Sequence, residues 1–161
     1  MSKTALRPRP VAEPYETDLY LWTQTQAELL RARRFDELDL TNLIEEVAGV
    51  GGSEKQQIES RLDVLIAHLL KWKYQPGARN NSWTATIFEQ RSRISRVLRA
   101  SPSLKRYPAE MFDECYASGR LLASRETGID FTLFPPMPPF TVEQALDPDY
   151  LPREPDLLDP T

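Results

Sequence analysis

Apolar positions recur along this chain with a helical period, and the breaks between them are clear. From about Glu16 to Arg34, Tyr15, Leu19, Trp22, Gln26, Leu29 and Leu30 fall on one stripe, which predicts an amphipathic helix. Asp39 is placed to cap a second helix carrying Leu40, Leu43, Ile44 and Val47. Three glycines in "GVGGSEKQ" then predict a break or sharp kink, with Ser53 and Gln56 as a capping box for the next helix. From Ser53 to about Tyr74 the stripe is Ile58, Leu62, Leu65, Leu69 and Trp72, ended by Pro76-Gly77. A helix over about 82–99 presents Trp83, Ile87, Gln90, Ile94, Val97 and Leu98. Another, from Tyr107 or Pro108 to Glu126, turns Met111, Phe112, Cys115, Leu122 and Ala123 inward, with Gly128 just past its end.

The composition then changes. Residues 135–161 hold 8 of the 14 prolines. "FPPMPPF" reads as extended chain, and Phe131, Phe134 and Phe140 predict that it packs on the helices. "TVEQAL" offers one short helix with Thr141 and Gln144 as a capping box. No strand pattern stands out. The expectation is an all-α fold, a bundle of about four main helices with a Pro-rich, mostly irregular C-terminal extension. Residues 1–14 read as a flexible arm, 15–130 as the bundle, and 131–161 as an extension packed on it with a frayed tail.

Several motifs occur in a fixed order: "YETDLYLWTQTQAELLRARRFDELDLTNLIEEV", "ESRLDVLIAHLLKWKYQP", "SWTATIFEQRSRI", "SPSL", "RETGI" and "LDPDYLP". Over about Tyr15 to Pro152 the chain resembles the bacterial family catalogued as domain of unknown function twenty-nine. The resemblance implies a small, cytosolic, all-helical protein. It implies no activity and hands over no catalytic residues.

The net charge is −4 but unevenly spread. Residues 61–106 hold ten Lys and Arg against two acidic residues, and 107–161 hold three against eleven. A basic middle between acidic flanks points either to an anionic partner or to an acidic C-terminal segment folding back over the basic helix. No apolar run is long enough to cross a bilayer, the N-terminus lacks a signal pattern, and the single Cys115 allows no internal disulfide. These point to the cytoplasm.

Four groups of residues carry candidate chemistry. His68 is the only histidine and lies seven residues after Arg61, near one face of the same helix. The spacing fits the loose Arg-x(4–6)-His pattern of HEPN-type ribonucleases. There an imidazole takes the ribose 2′-hydroxyl proton and a guanidinium stabilises the phosphorane. Leu62 stands where those motifs usually carry a small polar residue, so a structural histidine is the competing reading. Second, Lys71, Lys73, Arg79, Arg91, Arg93, Arg96 and Arg99, interleaved with Trp72, Tyr74 and Trp83, suit single-stranded nucleic acid. Third, Gln26, His68 and Gln90 interrupt apolar faces and predict one internal hydrogen-bond network or a small pocket. Fourth, Glu45, Glu46, Glu59 and Asp63 approximate the Mg²⁺-binding pattern of all-α nucleotide pyrophosphatases, with Gly49 where a third glutamate belongs and one residue too many between Glu59 and Asp63.

One His and one Cys are too few for a zinc site, and no cofactor is expected. The leading expectation is a non-catalytic binding module. Its partner is another protein, a second copy of the chain or an anionic polymer such as nucleic acid, and not a membrane. The ribonuclease is the alternative and the pyrophosphatase a distant third.

Overall fold

The computed structural model describes residues 15–154, so the expected arm at 1–14 and the frayed tail beyond Glu154 lie outside the described residues. Among the described residues there are six α-helices and no strand: α1 Leu19–Arg31, α2 Leu40–Tyr74, α3 Asn81–Ala100, α4 Tyr107–Glu110, α5 Phe112–Thr127 and α6 Val142–Leu146. The fold is all-α, as the periodicity requires. The chain divides into two compact units, with the boundary between Gly51 and Gly52.

In the first unit, α1 starts three residues later than the stripe suggested, because Asp18 caps it through the Leu21 amide at 2.9 Å. Its end is a Schellman turn: the Arg34 amide returns to the Leu29 carbonyl, and Arg33 takes the left-handed conformation, φ 56°, usually given to glycine. Trp22, Gln26 and Leu29 are buried, whereas Leu19 and Leu30 on the same stripe stay exposed. Asp39 ties this unit together. Its carboxylate accepts from the Trp22 indole at 3.1 Å and the Asn42 amide group at 2.7 Å, and its backbone N–H donates to Gln26. Those hydrogen bonds hold the Asp39 carboxyl below the usual carboxylate range.

The expected break at the glycines does not occur. Helical structure runs unbroken from Leu40 to Tyr74, and no capping box forms at Ser53. A glycine inside a helix costs about 1 kcal/mol relative to alanine, and strong helix formers on both sides of Gly49, Gly51 and Gly52 offset that cost. All three are exposed.

The second unit holds the main core. Ile58, Leu62, Leu65 and Leu69 are fully buried, as the stripe predicted, but so are Ile66, Ala67 and Leu70 on the flank. The C-terminal half of α2 is therefore covered on more than one side. Around it pack Ile87 and Ile94 of α3, Phe112, Cys115, Tyr116 and Ala123 of α5, and Phe134, Phe140 and Ala145 from the Pro-rich segment. Asn80 caps α3 through the Trp83 amide, Thr141 and Gln144 form the expected capping box on α6, and Gly128 closes α5 in the left-handed conformation. The predicted helix over 107–126 is interrupted at Met111, whose backbone (φ −96°, ψ 0°) separates α4 from α5.

Gly119 shows why α5 approaches α2 so closely. A Cβ there would lie 2.6 Å from Ile66 Cγ2 and 3.2 Å from the Asp63 carbonyl. Gly→Ala in a helix normally stabilises. Here Gly119→Ala is expected to destabilise by about 1–3 kcal/mol, because overpacking outweighs the helix preference. Urea denaturation measures this, and the penalty should shrink in an Ile66→Ala background. A stabilised Gly119→Ala would show that the two helices can separate freely.

Candidate functional site

His68 and Arg61 share one side of α2, as their spacing requires, but seven residues rise about 10.5 Å along a helix. The two side chains turn to different neighbours. His68 is buried, and its Nδ1 lies 2.9 Å from the Val64 carbonyl oxygen. That carbonyl can only accept, so Nδ1 carries the proton. Burial lowers the imidazole pKa from its ordinary 6.5; the Val64 bond opposes this, and the nearby Lys71 ammonium adds to it. Arg61 instead donates from Nη1 to Gln90 Oε1 at 3.2 Å and lines a cavity of about 410 Å³ with Gln56, Gln57, Ser60 and Gln90. His68 is not in that lining.

A folded-state pKa below the unfolded value means the unfolded chain binds the extra proton first. The stability that neutral His68 allows is therefore complete above about pH 6.5 and is lost as pH falls below it. The urea midpoint should drop between about pH 7 and pH 5 more steeply for the native chain than for His68→Gln. Parallel curves would mean that the ring is hydrated when folded.

The three inward polar side chains do not form one network. Gln26 accepts from the Asp39 amide within the first unit. His68 is satisfied by its own helix and Gln90 by Arg61, within the second. The physical reason is proximity: His68 reaches a carbonyl one turn back on its own helix, Gln26 the Asp39 amide and Gln90 the Arg61 guanidinium.

The basic stretch is largely spent inside the fold. Lys71, buried, pairs with Glu126 at 2.7 Å and sits 4.7 Å from the Trp83 ring centroid. Lys73 donates to the Arg153 carbonyl. Arg79 binds the Trp72 carbonyl and Glu154 and covers the Trp72 ring. Arg93 pairs with Glu89 one turn away. Arg91 is only 6% exposed, and its guanidinium donates to three backbone carbonyls: Ala145 at 2.8 Å, Pro148 at 3.3 Å and Tyr150 at 2.8 Å. The C-terminal segment thus meets Arg91 of α3 through Ala145, Pro148 and Tyr150, and Lys73 and Arg79 through Arg153 and Glu154. Trp72 and Trp83 also have faces already occupied by the chain's own cations.

Two of the four carboxylates expected to hold Mg²⁺ accept from tyrosine hydroxyls. Glu46 accepts from the Tyr15 hydroxyl, and Glu59 accepts from the Tyr107 hydroxyl. That bond is the largest reason the Tyr107 pKa is pushed up to about 12. Burial, with Asp63 beside it, likewise pushes the Cys115 thiol up to about 12, which leaves it unreactive. Among the described residues no group of three or more His, Cys, Asp or Glu could hold a metal ion.

Besides the cavity at Arg61, a run of three adjoining cavities along α3 is open to solvent. The largest, about 530 Å³, has an apolar floor of Ile94, Leu98, Pro102 and Leu146, with Arg99 and Lys105 beside it. A second, about 270 Å³, shares Ser95, Arg99 and Leu146 with the first and adds Phe88, Arg96 and Pro148. A third, about 260 Å³, shares Phe88 and Pro148 with the second and extends to Thr84 and Leu151. Arg91 lines all three.

The family model for Domain of unknown function DUF29 matches residues 14–151, most of the chain. The chain belongs to this family. No curated protein and no solved structure matches it. DUF29 membership assigns no reaction, so in this DUF29 chain residue roles rest on geometry. Sequence reasoning named Arg91, Arg96 and Arg99 as one basic face. It missed Lys105, Leu146 and Pro148, which the fold brings to the same groove from other segments. Their only signal was the excess of positive charge over 61–106 and the apolar residues of "TVEQAL". No helix among the described residues is long and apolar enough to cross a membrane.

Proposed function

We propose that this DUF29 protein works by binding another protein rather than by turnover. The observation that carries this reading is the division of labour among its polar groups. Arg61, His68, Lys71, Arg79, Arg91, Glu46 and Glu59 have partners inside the chain, while apolar surface stays in solvent. The groove on α3 is one such surface. The first unit is another: Tyr20, Phe35, Leu40, Ile44, Val47 and Val50 are all exposed there. Concave apolar surface with a few polar groups at its edge is the common form of a binding site, and exposed apolar patches favour protein contacts over contacts with a highly charged polymer.

The first test is against catalysis. The purified chain is incubated with single-stranded RNA in EDTA, alongside His68→Ala and Arg61→Ala. The expected result is intact RNA in all three. Cleavage by the native chain that both substitutions abolish would reverse the reading in favour of the metal-independent ribonuclease.

A further inference from the structure

The groove along α3 is built from residues far apart in sequence, and its charge is one-sided. Arg96, Arg99 and Lys105 line it, and among the described residues none has a carboxylate partner within ion-pair distance; Arg99 donates to Ser95 Oγ at 3.3 Å. Asp149 is the one acidic lining residue, and it lies in the third cavity, which neither Arg99 nor Lys105 lines. Between the cations the floor is apolar: Ile94, Leu98 and Leu146 in the largest cavity, then Phe88, which is 67% exposed. Arg91 presents few free donors to the groove, because its guanidinium bonds to the Ala145, Pro148 and Tyr150 carbonyls of the segment that forms the opposite wall.

Resting on the protein-binding reading, we infer that this groove receives an extended segment of another protein that carries acidic and apolar residues in alternation. Three features carry the inference. The first is length. Thr84 to Leu98 spans about 21 Å of helix, which an extended segment of about six residues covers. Three linked, open cavities suit such a segment better than a compact metabolite, which would be enclosed. The second is the floor. Successive apolar hollows accept successive same-side side chains of an extended chain. The third is the rim. Uncompensated guanidinium and ammonium groups beside those hollows attract carboxylates and reject basic sequences.

Nucleic acid is the competing anion, and the floor disfavours it. Base stacking needs aromatic platforms in series. Phe88 is the single aromatic lining these cavities, while Trp72 and Trp83 are covered by Arg79 and Lys71.

The test is a random-peptide display selection on the purified full chain, followed by fluorescence anisotropy of the enriched peptides. Labelled single-stranded oligonucleotide is titrated in parallel. The expected winners combine Asp or Glu with Leu, Ile or Phe. Their affinity should fall about tenfold or more in Arg99→Glu/Lys105→Glu, and less in Phe88→Ser, with helix content unchanged by circular dichroism. Both substitution sites are exposed or on the rim, so a folding failure is separable from a binding loss.

Enriched peptides that are basic, or that bind the charge-reversed variant as tightly as the native chain, would overturn the groove assignment. In that case protein binding itself would stand. Absence of any enriched peptide, with salt-sensitive oligonucleotide binding that Arg99→Glu/Lys105→Glu abolishes, would overturn both.

Discussion

Arg91→Met is expected to destabilise the protein by about 3–4 kcal/mol and to lower its melting temperature by about 10 °C. The substitution keeps much of the side-chain volume and removes the fork. Arg91 is buried and makes three charge-assisted hydrogen bonds to the Ala145, Pro148 and Tyr150 carbonyls. Each is worth more than a neutral bond, and loss of the buried one strands the Ala145 carbonyl. Arg91→Lys should recover little, because one ammonium cannot span three carbonyls in a fixed plane. Arg93→Ala, which removes only an exposed one-turn pair with Glu89, is the control and should change stability by less than about 0.5 kcal/mol. Hydrogen exchange supplies the local readout: amides over 142–151 should lose protection first in Arg91→Met. Unchanged melting with unchanged protection there would mean that the C-terminal segment is held by its apolar contacts alone.

Phe134→Ala should cost about as much, roughly 3–5 kcal/mol. Phe134 is fully buried in the Pro-rich segment and packs edge-to-face on Tyr74 of α2, with ring centroids 5.5 Å apart. Its carbonyl accepts from Arg120 at 2.7 Å, so the backbone is fixed as well as the ring. Truncation leaves a cavity that the stiff Pro135-Pro136 pair directly after it keeps the chain from collapsing to fill. Phe134→Leu should cost less, since most of the volume remains. Phe140, in the same Pro-rich segment as Phe134, packs edge-to-face on Phe112 and on Tyr150, whose carbonyl Arg91 binds. The effects of Phe134→Ala and Arg91→Met should therefore not be additive, with a coupling of about 0.5–3 kcal/mol in a double-mutant cycle. Strict additivity would show that the extension is two independent straps.

Both experiments bear on function, because the extension forms one wall of the α3 groove. Loosening it should weaken any ligand held there without touching Arg99 or Lys105. That gives a second, independent handle on the groove, separable from charge reversal by its effect on stability.

Local chemistry was legible in the sequence. The helical period located α1, α3, the α4–α5 region and both halves of α2, and the capping box of Thr141 and Gln144 forms as expected, because it acts over three residues. The buried stripe Ile58, Leu62, Leu65 and Leu69 followed from spacing alone, as did the inward Cys115. All of these are decided by neighbours along the chain. The glycine cluster was misleading for the same reason: local propensity counts a glycine's cost but not the helix on both sides that carries through it.

The candidate site was not legible in this way. A basic stretch reads the same whether its charges face solvent or backbone carbonyls. Only the return of the C-terminal segment assigns Arg91 to the Ala145, Pro148 and Tyr150 carbonyls and Arg79 to Glu154, while Arg96, Arg99 and Lys105 stay exposed. Likewise Arg61 and His68 share a helix face by arithmetic, while Gln90 on α3 and the Val64 carbonyl determine what each side chain touches. The sequence by itself determined which residues are helical and which of their faces are apolar, because those depend on spacing. The tertiary structure decided which charges are free, because pairing depends on segments that meet only after the chain has folded.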